Sequence, residues 1–443
     1  MIQEILRKLG IQQLNEMQTN MLSLFPERKD MVLLSPTGSG KTLAFLLPLL
    51  QVLRPGVKAL QVVIIVPSRE LAIQIDAVFR SMKTEFQSMA CYGGRPAMDE
   101  HRTMMQNPPQ LIVATPGRWC DHLKKENIAC DAVEILILDE FDKSLELGFR
   151  DEMEFLIKAM PTVKQYVFTS ATESEDIATF LETGGKDARQ CTRLDYIDGK
   201  SSVVTNVTQY VVQSETVDKL DTLYKLLCAL NGVPAVVFVN YRESVERTAS
   251  FLKEQGVHCT AFHGAMDQEE RERSLNKFRN GSVNVLVSTD LSSRGLDIPN
   301  LDTIIHYHLP MNEETYIHRC GRSGRWDAHG RSFLIINEKE TCPSYIHQPT
   351  MFALTTQTDL RPTPPQWITL YIGKGKKDKV NKIDIVGFLC KKGNLKQTDI
   401  GLIEIRDRYA YVAISRNKIK QVMNGIRGEK IKGMKTLIEL MKN

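Results

Sequence analysis

Met31 to Leu34 is a short apolar run that leads into Ser35-Pro36-Thr37-Gly38-Ser39-Gly40-Lys41-Thr42 and then a longer apolar segment, Leu43 to Leu53. Few local patterns constrain a chain so tightly, because a strand, a glycine-bearing turn and a helix in this order is the context a phosphate-binding loop requires. Gly38 and Gly40 let the backbone pass close to phosphate oxygens with successive N–H groups aimed at them. The helix N-terminus adds positive potential, Lys41 reaches the outer phosphates and the Thr42 hydroxyl is placed to hold Mg²⁺. Ser35 stands where the common pattern has its first Gly, a departure outweighed by the strand and helix on either side. The stretch is expected to bind a nucleoside triphosphate through Ser35, Pro36, Thr37, Gly38, Ser39, Gly40, Lys41 and Thr42.

Apolar runs of strand length recur between helix-like stretches, at Ala59–Val66, Leu111–Ala114, Ile135–Leu138 and Tyr166–Thr169. A second series follows at Tyr210–Val212, Val236–Val239, Val285–Ser288, Ile304–Tyr307 and Phe333–Ile336. Near-continuous apolar strands alternating with helices predict parallel sheets covered on both faces, here two α/β units in tandem over 1–200 and 207–340. A polar joint around Asp195–Asn206 separates them, and five prolines between Glu338 and Pro365 mark a linker over 341–365. Residues 366–443 form a third, basic block with 18 Lys+Arg against 7 Asp+Glu, or +11, whereas the whole chain is +4, leaving −7 for residues 1–365. A basic block appended to a mildly acidic body reads as a polyanion-binding module.

The longest apolar run, Leu43 to Leu50, contains Pro48 and is too short to span a bilayer, so a buried core helix is expected. The first eight residues mix acidic and basic side chains and lack the shape of a secretory signal. Nine scattered cysteines without a Cys-x-x-Cys pair point to reduced thiols in a cytoplasm, with neither disulfides nor a zinc site.

In open α/β sheets ligands sit at the carboxyl ends of the strands. The run Val133–Leu138 ends in Asp139-Glu140-Phe141-Asp142, where one carboxylate can hold a phosphate-bridging Mg²⁺ and a neighbour can activate the attacking water. Tyr166–Thr169 ends in Ser170-Ala171-Thr172, whose hydroxyls can hydrogen-bond those carboxylates. Arg319, Arg322 and Arg325 follow at three-residue spacing with Gly321 and Gly324 between them, a pattern suited to reaching charge on a γ-phosphoryl group.

Together these residues resemble the DEAD-box family of ATP-dependent RNA helicases over residues 10 to about 337. The family's motifs stand in order at Gly10–Gln18, Pro67–Leu71, Gly93-Gly94, Thr115–Arg118, Asp139–Asp142, Ser170–Thr172, Phe238–Asn240, His263–Arg271, Ser288–Asp297 and His318–Arg325. The resemblance implies two RecA-like domains with ATP and Mg²⁺ as cofactors and RNA as partner. It gives Gln18 the adenine edge, Lys41 and Thr42 the phosphates and metal, Asp139 the metal through water, and Glu140 the attacking water. Arg322 and Arg325 become arginine fingers, and Asp297 binds the ribose. Asp142, Ser170, Thr172 and His318 couple hydrolysis to strand separation. Arg69, Gly94, Thr115, Gly117, Arg118, Thr289 and Arg294 meet the RNA backbone. Phe141 replaces the family's usual Ala and is expected to pack inward. Leu14 replaces a usual Pro. The family's upstream adenine-stacking aromatic has no counterpart, implying a start upstream of Met1 or a weaker adenine site.

In the basic block, Thr369–Gly373 and Arg408–Ile414 alternate like the first and third strands of an RNA-recognition (RRM-like) α+β fold, in which aromatics such as Tyr409 stack on splayed bases. The alternative is a small domain whose tyrosines sit in its core. The wider block resembles the RNA-binding domain of the bacterial DbpA proteins, which implies large-subunit ribosomal RNA as target and ribosome assembly as process. Lys374, Lys376, Lys377 and Lys379 are then expected to make phosphate contacts. Two other readings stay open, an RNA-stimulated ATPase that clamps ribonucleoprotein without unwinding and a non-enzymatic RNA-binding protein with a degenerate core.

Overall fold

The computed structural model describes residues 2–36, 38–94, 97–197, 207–290, 301–321, 330–354 and 361–441. Thr37, Arg294, Asp297, Arg322 and Arg325, and the joint from residue 198 onward, lie outside the described residues. The chain divides into two compact units on either side of residue 206.

The first unit is built on seven parallel strands: β1 (Met31–Leu34), β2 (Val62–Ile65), β3 (Ser88–Cys91), β4 (Leu111–Ala114), β5 (Ile135–Leu138), β6 (Gln165–Ser170) and β7 (Thr192–Asp195). Their order across the sheet is β3-β4-β2-β5-β6-β1-β7. The central strands are buried on both faces, and successive side chains feed two separate cores. Leu33, Ile64, Val113 and Ile137 enter one core, while Val32, Leu34, Val63, Ile65, Ile112 and Leu136 enter the other. Helices α1 (Ile2–Leu9), α2 (Glu16–Leu24), α3 (Lys41–Val52), α4 (Arg69–Ser81), α5 (Ala97–Gln106), α6 (Pro116–Lys124) and α7 (Phe141–Glu146) connect or flank these strands. α3 is the expected core helix, buried along most of its length with Pro48 inside it.

The apolar pattern located Leu111–Ala114 and Ile135–Leu138 to the residue. It missed β3 and β7, which are edge strands with half-exposed, partly polar faces and carry no continuous apolar run.

The second unit repeats the topology. Strands β8 (Val207–Gln213), β9 (Ala235–Phe238), β10 (Cys259–Phe262), β11 (Val285–Ser288), β12 (Thr303–His306), β13 (Gly330–Ile336) and β14 (Thr350–Met351) lie in the order β10-β11-β9-β12-β13-β8-β14. β14 comes from the segment read as a linker: it pairs in parallel with β8, and Phe352 packs edge-on against Tyr210 and Phe333. The prolines punctuate that segment without detaching its first part from the sheet.

Four antiparallel strands close the chain: β15 (Trp367–Ile372), β16 (Ile400–Ile405), β17 (Ala410–Ser415) and, after the hairpin of β18 (Lys430–Ile431) and β19 (Met434–Lys435), β20 (Ile438–Leu440). Their order β16-β17-β15-β20 and the helices Lys382–Lys391 and Ile419–Gly425 packed on one face give the expected small α+β domain. Among the described residues, no helix is long and apolar enough to cross a membrane.

Candidate nucleotide and RNA sites

Register assembles the phosphate-loop region. Leu34 lies opposite Ser170, and the Ser35 N–H donates to the Ser170 carbonyl at 3.0 Å, so the loop leaves β1 beside the end of β6. Gly38 and Gly40 have φ of 80° and 91°, a region that disfavours side chains. A Cβ on Gly40 would also stand 2.5 Å from Gln18 Nε2 and would displace that amide from the loop. Lys41 is buried, with its ammonium on the carbonyls of Ser35 and of Pro36, the latter at 3.0 Å. Thr42 follows in the first turn of α3.

Gln18, expected at the adenine edge, is also the third residue of a capping box on α2. Its Oε1 accepts from the Asn15 N–H at 3.1 Å while Asn15 Oδ1 accepts from the Gln18 N–H at 2.8 Å. Gln18 Nε2 donates to the Gly40 carbonyl at 3.3 Å and Asn15 Nδ2 to the Ser39 carbonyl at 3.0 Å, which clasps α2 onto the loop. The sequence reading gave Asn15 no role, although an Asn three residues before a Gln is itself a capping signal.

β6 runs two residues past the point where Leu138 pairs with Phe168, which sets Thr169 beside Asp139. The Thr169 hydroxyl donates to Asp139 and accepts the Glu140 N–H at 3.4 Å. Asp139 is buried; desolvation, and secondarily the Glu140 charge, push its carboxyl up to about 6, with Thr169 and Lys41 opposing the rise. Glu140 has φ 48° and ψ 50°, left-handed backbone that a non-glycine residue adopts only under local constraint. Asp142 Oδ2 accepts from the Thr172 hydroxyl at 3.0 Å and the Ala171 N–H at 3.2 Å. Ser170, expected to hold a carboxylate, donates instead to the Thr172 carbonyl at 2.6 Å and closes its own turn. The hydroxyl that reaches Asp139 is one position earlier, because the strand's pleat aims Thr169 and Ser170 to opposite faces.

Phe141 packs inward as expected. It is fully buried and lies edge-on to Phe168 and Phe180, with ring centroids 5.1 and 5.2 Å away. Phe141→Leu keeps most of the volume and loses both ring contacts, so thermal unfolding should show about 1–2 kcal/mol of destabilisation with ATP turnover retained. A loss of turnover at wild-type stability would contradict a packing role.

Cys91, Ala114 and Ile65 stand in register at the carboxyl ends of β3, β4 and β2. The segments that follow therefore emerge side by side: Ser68-Arg69 after β2, Gly93-Gly94 after β3, and Thr115-Pro116-Gly117-Arg118 after β4. Ser68 caps α4 through the Leu71 N–H at 3.2 Å, and Pro116 opens α6. Arg118 Nε donates to the Tyr92 carbonyl at 3.2 Å, and the Arg69 guanidinium lies 3.3 Å from where a Gly93 Cβ would stand. The expected RNA-contact residues of this unit thus share one edge.

In the second unit Arg319, expected with Arg322 and Arg325 to reach charge on a γ-phosphoryl group, is instead committed to protein partners. It is fully buried, and its Nε and Nη2 bond Asp290 at 2.5 and 2.8 Å. It also reaches the His308 carbonyl at 2.8 Å, Asn240 Oδ1 at 3.0 Å and His306 Nδ1 at 3.2 Å, and stacks 5.0 Å from the Phe238 ring centre. A buried arginine ties the ends of β9, β11 and β12 together. Thr289 is buried beside Asp290, and His318 contacts Glu314 at 3.3 Å one helical turn away.

In the C-terminal domain Lys376, Lys377 and Lys379 are exposed, whereas Lys374 is engaged by Asp378 at 2.9 Å. Tyr409 departs from expectation. The sheet face opposite the domain's helices, with Trp367, Thr369, Tyr371 and Tyr411, lies on the helix Gln268–Arg279 and the turn after it. Tyr409 donates to Glu272 at 3.0 Å, Asn280 to Thr369 at 2.8 Å, and a Cβ on Gly281 would lie 3.1 Å from the Trp367 ring. The tyrosines meet protein where the sequence reading placed bases. Alternation identifies an aromatic face and says nothing of what covers it.

Comparison with known proteins gives matches to three families: DEAD/DEAH box helicase over residues 15–180, helicase conserved C-terminal domain over 218–327, and DbpA RNA binding domain over 369–440. The ATP-dependent RNA helicase DbpA of Bacillus subtilis is 30% identical, with 97% of this chain and 95% of that one aligned. The Escherichia coli protein of the same name is 31% identical over 99% and 96% of the two chains. Among solved structures, S. cerevisiae Dbp5 bound to RNA and ADP BeF3 matches with a TM-score of 0.66 and 26% identity, covering 76% of this chain and 88% of that one. Mss116p bound to ssRNA and AMP-PNP matches with a TM-score of 0.67 and 26% identity, over 76% and 72%. With three family matches along its length and two DbpA relatives aligned over nearly the whole of both chains, the chain belongs to the DbpA-type DEAD-box ATP-dependent RNA helicases.

Proposed function

We propose that this helicase acts on structured large-subunit ribosomal RNA in the cytoplasm during ribosome assembly, with its basic C-terminal domain as the targeting element. The observation that supports this reading is the +11 domain itself, matched over 369–440 to the DbpA RNA binding domain and presenting Lys376, Lys377 and Lys379 on its surface. Contacts of that kind supply salt-sensitive affinity for phosphates. In the first unit, Lys41 and the loop amides hold the ATP phosphates and Gln18 reads the adenine. Thr42 and, through water, Asp139 hold Mg²⁺, which neutralises charge between the phosphates when bound. The donor set fits a hard cation: a hydroxyl, and a buried carboxylate whose proton affinity is raised by desolvation and by the neighbouring Glu140 charge. Glu140 orients and deprotonates the attacking water. Arg322 and Arg325 stabilise the transferring phosphoryl group, and Asp297 binds the ribose. Asp142, Thr172, Ser170 and His318 pass the state of the nucleotide to the RNA-contact residues Arg69, Gly94, Thr115, Gly117, Arg118, Thr289 and Arg294.

The test is ATP hydrolysis with no RNA, bulk RNA and large-subunit ribosomal RNA, for the full chain and for a chain truncated after Leu354. That endpoint keeps β14 and Phe352 in the second sheet. The expected result is stimulation by ribosomal RNA at least about tenfold more sensitive than by bulk RNA in the full chain, with the preference lost on truncation. Equal stimulation by both RNAs in both chains would contradict a targeted enzyme.

A further inference from the structure

We infer that Glu100, a residue of α5 outside every motif considered above, is a positioning residue for RNA engagement: with His122 and Asn127 it holds the Arg118 guanidinium against the Tyr92–Gly94 turn. The inference rests on the reading of Arg118 and Gly94 as RNA contacts.

The cluster is assembled from three elements of the first unit. Glu100 is 5% exposed and His122 is fully buried, unusual places for a carboxylate and an imidazole unless each is partnered. Glu100 Oε2 lies 2.9 Å from His122 Nε2 and 3.5 Å from Arg118 Nε, while Oε1 accepts the Tyr92 N–H at 3.4 Å. His122 sits one turn after Arg118 on α6, so both side chains face the same carboxylate. Asn127 Nδ2 donates to His122 Nδ1 at 3.1 Å. That bond makes Nδ1 the acceptor, puts the ring hydrogen on Nε2 and aims it at Glu100. The Asn127 N–H in turn donates to the His122 carbonyl at 3.0 Å, which fixes the donor.

The consequence is geometric. The Nε edge of Arg118 is committed to Glu100 and to the Tyr92 carbonyl, so the plane of the guanidinium is set by buried groups. The same carboxylate holds the Tyr92 N–H, immediately before Gly93-Gly94. One side chain therefore fixes both an arginine and the turn it faces, and the Arg69 guanidinium also lies close to that turn, at Gly93. Arginine's value in backbone recognition is its preset fork, which is lost if the plane can rotate. Cys91 also lies within the cluster, with its sulfur, a Glu100 oxygen and a His122 nitrogen within 4.8 Å of one another. A metal site is the weaker reading of these three groups. The carboxylate already faces a guanidinium, and burial, with the Glu100 charge second, pushes the Cys91 thiol far up, in its protonated form.

The experiment is RNA-stimulated ATP hydrolysis by the full chain carrying Glu100→Gln, Arg118→Ala or both, with the melting temperature of each recorded. Glu100→Gln keeps the shape and removes the charge. The expected result is an approximately tenfold rise in the RNA concentration at half-maximal stimulation, with RNA-independent hydrolysis and the KM for ATP unchanged. The double variant should be no worse than Arg118→Ala alone, because both changes remove one arrangement. Shifts that multiply in the double variant would overturn the positioning role. A silent Arg118→Ala beside an affected Glu100→Gln would overturn the RNA-contact reading on which the inference stands. If Glu100→Gln does not fold, Asn127→Ala, which frees only the imidazole, carries the test: a two- to threefold shift in the same direction is expected, and an unchanged RNA requirement overturns the inference.

Discussion

Glu140→Gln lowers ATP turnover by at least about a hundredfold and leaves RNA binding in the presence of ATP intact. Two features support so large an effect. The residue stands two positions past β5, at the carboxyl edge where ligands of parallel sheets sit, and its backbone takes a left-handed conformation at φ 48°. That conformation costs on the order of 1 kcal/mol for a non-glycine residue, and a site that keeps it does so for geometry. The neighbouring Asp139 and Asp142 are each held by hydroxyls from β6 or the turn after it, which leaves Glu140 as the carboxylate with a general base's freedom. Gln preserves its size and polarity, so the nucleotide and the RNA should still bind. Hydrolysis at the wild-type rate in this variant would move the base elsewhere.

Arg319→Ala should be the most destabilising single change considered, on the order of 3–5 kcal/mol, seen as earlier unfolding of the second unit in a thermal melt. Removing the guanidinium takes the ion-pair partner from Asp290 and the donors from Asn240 Oδ1 and the His308 carbonyl at once, and leaves a cavity beside Phe238. Arg319→Lys restores the charge without the fork, and a single ammonium does not reach the ends of three strands, so it should recover less than half of the loss. Melting curves of both variants that overlay the wild type would show the network to be incidental.

The parts of this protein that were legible in its sequence share a physical cause. Fully buried parallel strands must be apolar on both faces, so β4, β5 and β11 announce themselves as unbroken runs. The phosphate loop is equally legible because only glycine accepts φ of 80° and 91° at positions 38 and 40. Edge strands such as β3 and β7 are half-solvated and lose that signal, and β14 is two residues long. At the carboxylates, the acids were identified and one of their hydroxyl partners was misplaced. Ser170 and Thr169 are adjacent in sequence, and only the register with β5 decides which faces Asp139. Arg319 and Glu100 are buried polar residues whose importance lies in what surrounds them, and nothing local distinguishes them from solvated neighbours; half-buried Asn15 carried a capping signal, but only the fold brings it to the Ser39 carbonyl. Tyr409 shows the converse: its aromatic, alternating context suggested a base-stacking face, and the helix Gln268–Arg279 lies against it instead.

The most direct test of the whole account is strand displacement. A labelled strand paired in a short duplex beside large-subunit ribosomal RNA is mixed with the full chain and ATP, and its release is followed beside Glu140→Gln. With substrate in excess over enzyme, ATP-dependent release over many rounds is expected of the wild type and at most one release per enzyme of the variant, because binding energy alone does not recycle the enzyme. Rapid RNA-stimulated hydrolysis without release of the strand would contradict this expectation and would leave a ribonucleoprotein clamp in place of a helicase.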